Sequence, residues 1–314
     1  MKIIITGAAG FIGSTLADKL LSLGHEVSGV DNFDEFYSKE IKEENIKASL
    51  RNPLYHFYPI DILDLNTLCN TLTDNYDVIV HLAAKAGVRP SLKNPALYQR
   101  VNVEGTQNVI SFAEQKKIGK IVFASSSSVY GVNENLPWKE DDQDLRPISP
   151  YASSKIAGEW LGRSLAYSSD IAFIALRFFT VFGPRQRPDL AINTFFRKIK
   201  NGEPITVFGD GSTIRDYTYV DNIVDGIIGV ITIYNGKGFS VFNLGSHHPV
   251  KLLEMIHTVE EVIGIPAKIE FAPMQDGDVP KTYSDSTKAK DIFGFSPAIS
   301  FKEGLRRYFK SITE

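Results

Sequence analysis

The segment from Lys2 to Gly24 constrains this chain more than any other. Lys2-Ile3-Ile4-Ile5-Thr6 is a short β-branched run that stops at a glycine, the pattern of a parallel strand buried on both faces. Leu16, Leu20 and Leu23 then recur at helical spacing, and Gly24 supplies a C-terminal stop. Between strand and helix stand Gly7, Gly10 and Gly13, with Phe11 and Ile12 before the last of them. A glycine-rich turn in that place lets a pyrophosphate approach free N–H groups at the positive end of a helix dipole. Gly7 permits the tight turn, Gly10 the close backbone approach, and Gly13 the packing of helix on strand. The spacing is G-x-x-G-x-x-G rather than G-x-G-x-x-G, and a glycine triplet by itself also serves as an ordinary turn.

The second strand pattern, Glu26-Val27-Ser28-Gly29-Val30, ends at Asp31. An acid about 20 residues beyond such glycines binds the adenosine ribose hydroxyls. Its carboxylate repels a 2′-phosphate, so NAD is expected over NADP. A second constellation lies at Tyr151 and Lys155, directly after Pro150, with Ile156, Trp160, Leu161 and Leu165 continuing a helical pattern. Proline favours a helix start, and residues four apart share a face. A phenol ordinarily ionises near pH 10. A neighbouring ammonium and the positive nicotinamide ring would favour phenolate, making Tyr151 a competent base for an alcohol proton. Tyr-x-x-x-Lys alone is common on surface helices. Here it follows a strand pattern, Lys120-Ile121-Val122-Phe123-Ala124, that ends in Ser125-Ser126-Ser127-Ser128. The carboxyl end of a parallel strand is where open α/β sheets bind ligands. There Ser126 can bond both a substrate hydroxyl and the phenol.

These segments resemble the extended short-chain dehydrogenase/reductases, specifically the nucleotide-sugar epimerases. The matching stretches are Thr6 to Gly13, His81-Leu82-Ala83-Ala84, Val101-Asn102-Val103-Glu104-Gly105-Thr106, Ser125 to Gly131, Pro150 to Lys155, Leu176 to Pro184 and Arg215 to Asp221. They run in family order along nearly the whole chain. The resemblance implies a Rossmann-type doubly wound parallel sheet with a smaller mixed α/β substrate-binding lobe. It implies catalysis by Tyr151, Lys155 and Ser126. It adds Asn32, Asp61, Ile62, Leu82, Ala83, Ala84 and Asn102 to the NAD contacts. A homodimer through helices of the first domain is implied as well.

Strand and helix patterns alternate to about Leu176, with further strands at Leu54–Tyr58, Asp77–Val80 and Ile171–Leu176, which argues a parallel sheet covered on both faces. Beyond Arg177 the pattern is irregular and richer in Gly and Pro. The expected division is residues 1–177 plus 217–245 for the NAD-binding domain, and 178–216 plus 246–314 for the UDP-sugar lobe. The 314 residues, 43% hydrophobic, suffice for a substantial core, and a net charge of −3 gives no field that favours nucleic acid or membrane. No apolar stretch approaches the roughly 20 residues that span a bilayer, and Met1 leads straight into the first strand. Cys69 is the lone cysteine. No internal disulfide can form, which fits a reducing cytoplasm, and Cys69 is expected to be a small core residue. The charge run from Ser38 to Lys47 reads as a solvated helix or loop. No histidine has metal-ligand spacing, and His81 is expected to pack or hydrogen-bond near the cofactor.

Which reaction follows is not fixed by the fold. After oxidation at C4, the ketone acidifies the C5 proton. In the resembling sugar 4,6-dehydratases an Asp-Glu pair sits where this chain has Ser127 and Ser128, and the glutamate of the uronate decarboxylases is missing too. Serine cannot act as an acid or base near neutrality, so reduction of the ketone on its other face, a 4-epimerisation, is expected. Ala86-Gly87-Val88-Arg89-Pro90, Pro184-Arg185-Gln186-Arg187-Pro188-Asp189-Leu190 and Pro273 to Pro280 resemble segments of the UDP-glucuronate 4-epimerases. Ser127, Ser128 and Thr180 are candidate donors to a C6 carboxylate. Arg215 matches a family position that binds the UDP diphosphate, Arg187 is a second candidate for it, and Arg89 is a further substrate-binding candidate. Val207 and Phe208 stand beside the uracil, and Asp278 is a candidate for the uridine ribose. Gln275 stands where galactose epimerases often carry an arginine. The alternatives are a 4-epimerase of neutral sugars, UDP-glucose or UDP-N-acetylglucosamine, and a non-catalytic NAD-binding regulatory protein.

Overall fold

In β1, Lys2–Thr6, successive isoleucines alternate between two separate apolar cores: Ile3 and Ile5 enter one, Ile4 the other. A side-chain period of two requires this when both faces are covered. The same alternation holds in β5, Lys120–Ser126, and β6, Ala172–Phe178. The computed structural model describes residues 1–274 and 277–313. The other strands are β2 (Glu26–Val30), β3 (Tyr55–Tyr58), β4 (Val78–His81), β7 (Thr180–Phe182), β8 (Ile205–Phe208), β9 (Ile214–Tyr219), β10 (Phe239–Leu244), β11 (Pro249–Lys251) and β12 (Ile269–Ala272).

Seven strands form one parallel sheet in the order β10-β6-β5-β4-β1-β2-β3. The chain winds outward from β1 in both directions, so the crevice between β1 and β4 is the topological switch point of a doubly wound sheet. Helices Phe11–Ser22 and Val220–Thr232 pack together on one face. Helices Leu65–Thr71, Gly105–Lys116 and Pro150–Ser168 cover the other through Leu68, Val109, Phe112 and Leu165. The architecture is the expected Rossmann-type α/β fold.

The smaller part carries a three-stranded sheet, β11-β9-β7, and a parallel pair, β8 with β12. Helices Ala191–Lys200, Leu252–Ile263 and Phe301–Ser311 back these strands, with Phe196, Met255 and Tyr308 buried among them. The chain leaves β9 at Tyr219 and returns to the large sheet through helix Val220–Thr232 and β10.

Two local readings need correction. The charged run 38–47 is not wholly solvated. Helix Lys39–Ile46 buries Lys42, Asn45 and Ile46, and the Asn45 amide donates to Ala9 O at 3.0 Å, which ties this helix to the glycine turn. Cys69 is half-buried rather than a core residue, with its thiol 3.2 Å from Gln115 Oε1. Helical periodicity places it at the margin of the Leu68 face, where one side still meets solvent.

Candidate active site

The turn after β1 is built as the glycines require. Gly7 has φ +73°, and a Cβ there would lie 2.8 Å from Ala83 N; at Gly13 it would lie 2.1 Å from Gly7 O. No side chain fits either position. The turn opens onto a cavity of about 580 Å³ along the carboxyl edge of β1, β2, β4 and β5. Gly7, Gly10, Phe11, Ile12 and Gly13 line it at one end; Asp31, Asn32, Asp61 and Ile62 follow, then Leu82, Ala83 and Ala84, and at the far end Ser126, Tyr151 and Lys155. An elongated dinucleotide fits this path: a side-chain-free cradle for phosphate, an acid for ribose, and the Tyr151 pair at the other end.

Asp31 accepts hydrogen bonds from Ala9 N at 3.0 Å and Phe33 N at 2.9 Å, and burial pushes its carboxyl upward from the ordinary range. Asn32 donates to Asp61 Oδ2 at 2.9 Å. Asn102 is the exception among the expected cofactor contacts. It is buried outside the cavity wall, where its side chain accepts from Lys85 N at 2.7 Å and donates to Lys85 O at 3.0 Å and Ser154 Oγ at 2.9 Å. It shapes the loop behind that wall. Lys85 and Lys42 do line the cavity, and both bond to Asp34: Lys85 Nζ to its carboxylate at 2.6 Å, Lys42 Nζ to its carbonyl. Neither was singled out from the sequence. Lys42 was hidden in a charge run that resembled a solvent face.

Helix Pro150–Ser168 carries the reactive pair. Ser149 caps it, its Oγ accepting from Ala152 N at 3.1 Å, and Pro150 opens the first turn. The cap fixes where the helix begins, and hence which face Tyr151 and Lys155 present. Tyr151 stands beside Ser126 on the cavity wall. The edge of Tyr98 meets its ring with centroids 6.3 Å apart. Lys155 Nζ donates to Ala124 O at 2.7 Å and lies 5.8 Å from the Tyr151 ring centroid. Burial dominates the electrostatics of both. It raises the Tyr151 phenol, against the opposing effects of the nearby Ser126 hydroxyl and the Arg187 charge. It lowers Lys155 to about 7, against the raising effect of Glu159. At Tyr151 desolvation outweighs both opposing effects, and the phenol moves up. His81, at the end of β4, is buried between Thr6 Oγ1 at 2.7 Å and Thr106 Oγ1 at 3.0 Å. Burial, with Lys155 adding to it, holds the imidazole neutral, its pKa lowered to about 3.

A second cavity of about 290 Å³ adjoins the first, and Ser126, Tyr151, Thr180 and Arg187 line both. Its wall includes Ser127, Ser128, Arg215 and Asp278. Ser126–Ser128 turn sharply after β5, and Ser128 donates from N at 3.2 Å and from Oγ at 2.9 Å to Ser126 Oγ. Four hydroxyl side chains, Ser126, Ser127, Ser128 and Thr180, thus face one space beside Tyr151. Among the described residues of this wall, Asp278 is the sole carboxylate, and it is held by Arg89 at 2.8 Å and Arg215 at 3.5 Å.

Arg89, Val207 and Phe208 do not line either cavity. Val207 is fully buried because alternate residues of β8 point into the lobe core, so only its backbone can face a ligand. Phe208, on the opposite face, carries the Arg89 guanidinium at 5.3 Å from its ring centroid. Arg187 is paired with Asp189 through two hydrogen bonds of 2.9 Å and lies 5.1 Å over the Phe36 ring. Gln275 lies outside the described residues.

The model of the NAD dependent epimerase/dehydratase family matches residues 3–245, which span the glycine turn, the serines, the Tyr151 helix and β10. The chain belongs to this family. Among relatives of the epimerase/dehydratase family, an uncharacterised protein of Methanocaldococcus jannaschii is 41% identical over 98% of this chain and 94% of its own length. A UDP-glucuronate 4-epimerase of Thermodesulfobacterium geofontis is 36% identical over 97% of this chain and 94% of its own. The crystal structure of a UDP-glucuronic acid 4-epimerase from Bacillus cereus, in complex with UDP-glucuronic acid and NAD, superposes with a TM-score of 0.92 at 34% identity, covering 100% of this chain and 99% of that one.

Proposed function

We propose that this protein is an NAD-dependent 4-epimerase that interconverts UDP-glucuronate and UDP-galacturonate through a 4-keto intermediate. The observation that carries the reading is the composition of the second cavity. A carbonyl at C4 labilises the C5 proton, and elimination or decarboxylation then needs a well-placed acid or base. The wall beside Tyr151 offers hydroxyls there, and its sole carboxylate among the described residues is already engaged by two arginines. Hydroxyl donors suit a C6 carboxylate and hold it without taking its place in acid–base chemistry. The family relationship and the relatives described above support the same substrate.

The glycine turn, Asp31 and the wall from Asp61 to Ala84 would hold NAD. Bound NAD⁺ supplies the oxidant for C4 and, once reduced, the reductant for the reverse step. Tyr151 takes the 4-hydroxyl proton through its phenolate and gives it back when the ketone is reduced on its other face. Ser126 orients that hydroxyl. Lys155 places positive charge beside the pair, and a bound nicotinamide ring would add to it. Ser127, Ser128 and Thr180 grip the carboxylate, which discourages loss of CO₂ from the β-keto acid. Arg187 and Arg215 hold the diphosphate. Asp278, with Arg89 and Phe208, closes the nucleoside end. We further infer a homodimer in the cytoplasm, serving polysaccharide biosynthesis. Trp160 and Tyr167, seven residues apart on one helix and 57% and 96% exposed, give a partner helix an apolar face to cover; light scattering of the purified protein tests this.

Proton NMR of the protein with UDP-glucuronate and catalytic NAD⁺ tests the activity. UDP-galacturonate without pentose or CO₂ is expected. A UDP-pentose product would overturn the argument from the hydroxyl wall. Conversion of UDP-glucose or UDP-N-acetylglucosamine instead would keep the chemistry and replace the substrate. NAD binding with no sugar turnover across the panel would leave a regulatory protein.

A further inference from the structure

One turn beyond Lys155 on the same helix lies Glu159, a carboxylate buried with its partners. Arg177 of β6 donates to it twice, from Nε to Oε1 at 2.9 Å and from Nη2 to Oε2 at 2.8 Å; both side chains are nearly sealed from solvent. Ser125 Oγ donates to the same Oε1 at 2.5 Å. Ser125 and Arg177 are register partners on β5 and β6. The helix therefore meets β5 at two successive residues: Lys155 on the Ala124 carbonyl, Glu159 on the Ser125 hydroxyl, immediately before Ser126. The far side of Arg177 rests 4.8 Å from the centroid of the Tyr130 ring.

We propose that Glu159, clamped by Arg177 and Ser125, is a positioning residue for the Tyr151–Lys155–Ser126 set, fixing the helix against β5 so that Lys155 and Ser126 keep their places beside the phenol. The inference rests on the epimerase reading for the role of the set, not for the contacts. Residues four apart share a helix face, so the carboxylate stands beside the lysine stem in a low-dielectric space where its charge is felt strongly. The other titratable groups around Lys155 are Tyr151 on its own helix, His81 on β4, which stays neutral, and Arg177 behind Glu159; Tyr98 and Arg187 face Tyr151 instead. Glu159 is thus the one anion set against the burial of Lys155 among the described residues. A Ser126 hydroxyl or a Lys155 stem that shifts away from the phenol leaves it harder to ionise, since Ser126 counters its burial.

The test needs no sugar. The near-ultraviolet phenolate absorbance of NAD-loaded protein is titrated against pH, each protein being compared with its own Tyr151→Phe counterpart so that Tyr151 alone is read. Glu159→Gln keeps the shape but loosens the clamp, and with Ser126 and Lys155 no longer held beside the phenol the Tyr151 midpoint should rise by about one pH unit; a fall, the direct effect of taking away a nearby negative charge, would overturn the proposal. An unchanged midpoint in a Glu159→Gln protein that binds NAD normally would overturn the proposal. If the unpaired arginine prevents folding, Glu159→Leu with Arg177→Met replaces the pair by apolar side chains, a change buried ion pairs commonly tolerate. A smaller upward shift is expected there, and no shift overturns the proposal as well. Glu159→Asp, which retains the charge, should fall between wild type and Glu159→Gln. Because the readout is the tyrosine itself, absence of epimerase turnover in wild type would count against the proposed reaction and leave this result standing.

Discussion

At the scale of single residues, the centre is defined by which side chains are buried with which partners. Tyr151 is raised above the ordinary phenol range and Lys155 is lowered to about 7, both by burial. Each is held in its less favoured medium, as groups poised for proton transfer commonly are. Tyr151→Phe keeps the ring against Tyr98 and removes the one proton carrier, so turnover should fall by about 10²–10⁴-fold while NAD affinity, measured by fluorescence titration, stays as in wild type. Substantial epimerisation by that variant would move the base elsewhere. Thr180 tests the carboxylate grip separately, since it lines the cavity but bonds no reacting atom. Thr180→Val removes one donor to a charged acceptor, a loss of about 1.5–3 kcal/mol, or roughly ten- to a hundredfold in the KM for UDP-glucuronate. UDP-glucose, if it is turned over at all, should be nearly indifferent. Equal effects on both sugars would mean that Thr180 does not meet the carboxylate.

At the scale of elements, the helix Pro150–Ser168 shows what sequence can and cannot disclose. Its start was legible in Pro150 and its reactive face in the spacing of Tyr151 and Lys155, because capping and helical period are local. The strands of the large sheet were legible for the same reason: β-branched runs such as Ile3-Ile4-Ile5 have no other stable home. How tightly the helix lies on the sheet was not legible. Gly158 and Gly162 look like weak points in a helix, yet a Cβ at Gly158 would stand 2.4 Å from Phe123 and one at Gly162 2.2 Å from Phe173. The glycines exist for close approach, and that approach lets Lys155 reach Ala124 O. The burial of Lys42 was not legible for a related reason: what a side chain touches depends on which neighbour the fold brings, and no local pattern carries that. Gly158→Ala should therefore lose more by overpacking, about 1–3 kcal/mol, than the roughly 1 kcal/mol it gains in helix propensity. The melting temperature should drop, and turnover should fall while the Tyr151 phenol and Lys155 remain chemically intact. A Gly158→Ala protein with raised stability and full activity would contradict the packing argument.

At the scale of the whole molecule, the two parts share one apolar core on the Val220 side of the large sheet but meet through charges on the open side. Arg89, from the helix Val88–Lys93 after β4, reaches Asp278 at 2.8 Å and rests against Phe208 of the lobe. Its side chain is 48% exposed, and an exposed pair of this kind contributes about 0–1 kcal/mol, too little to weld the parts together. The contact is strong enough to set an orientation. On the proposed reading Arg89 steadies Asp278 at the nucleoside end, while Phe208 keeps the guanidinium in place by its ring face. Removing the charge should consequently weaken capture of the nucleotide sugar without altering chemistry at Tyr151. For Arg89→Met we expect KM for the UDP-sugar to rise by about tenfold, the equivalent of 1.4 kcal/mol, with kcat within a factor of about two. The salt dependence of kcat/KM should flatten as well, since a screened cation no longer takes part in encounter. Steady-state kinetics at low and high ionic strength measure all three quantities. A fall in kcat with KM unchanged would instead place Arg89 in the transition state, and an unaltered salt dependence would leave it as a structural tie between the two parts.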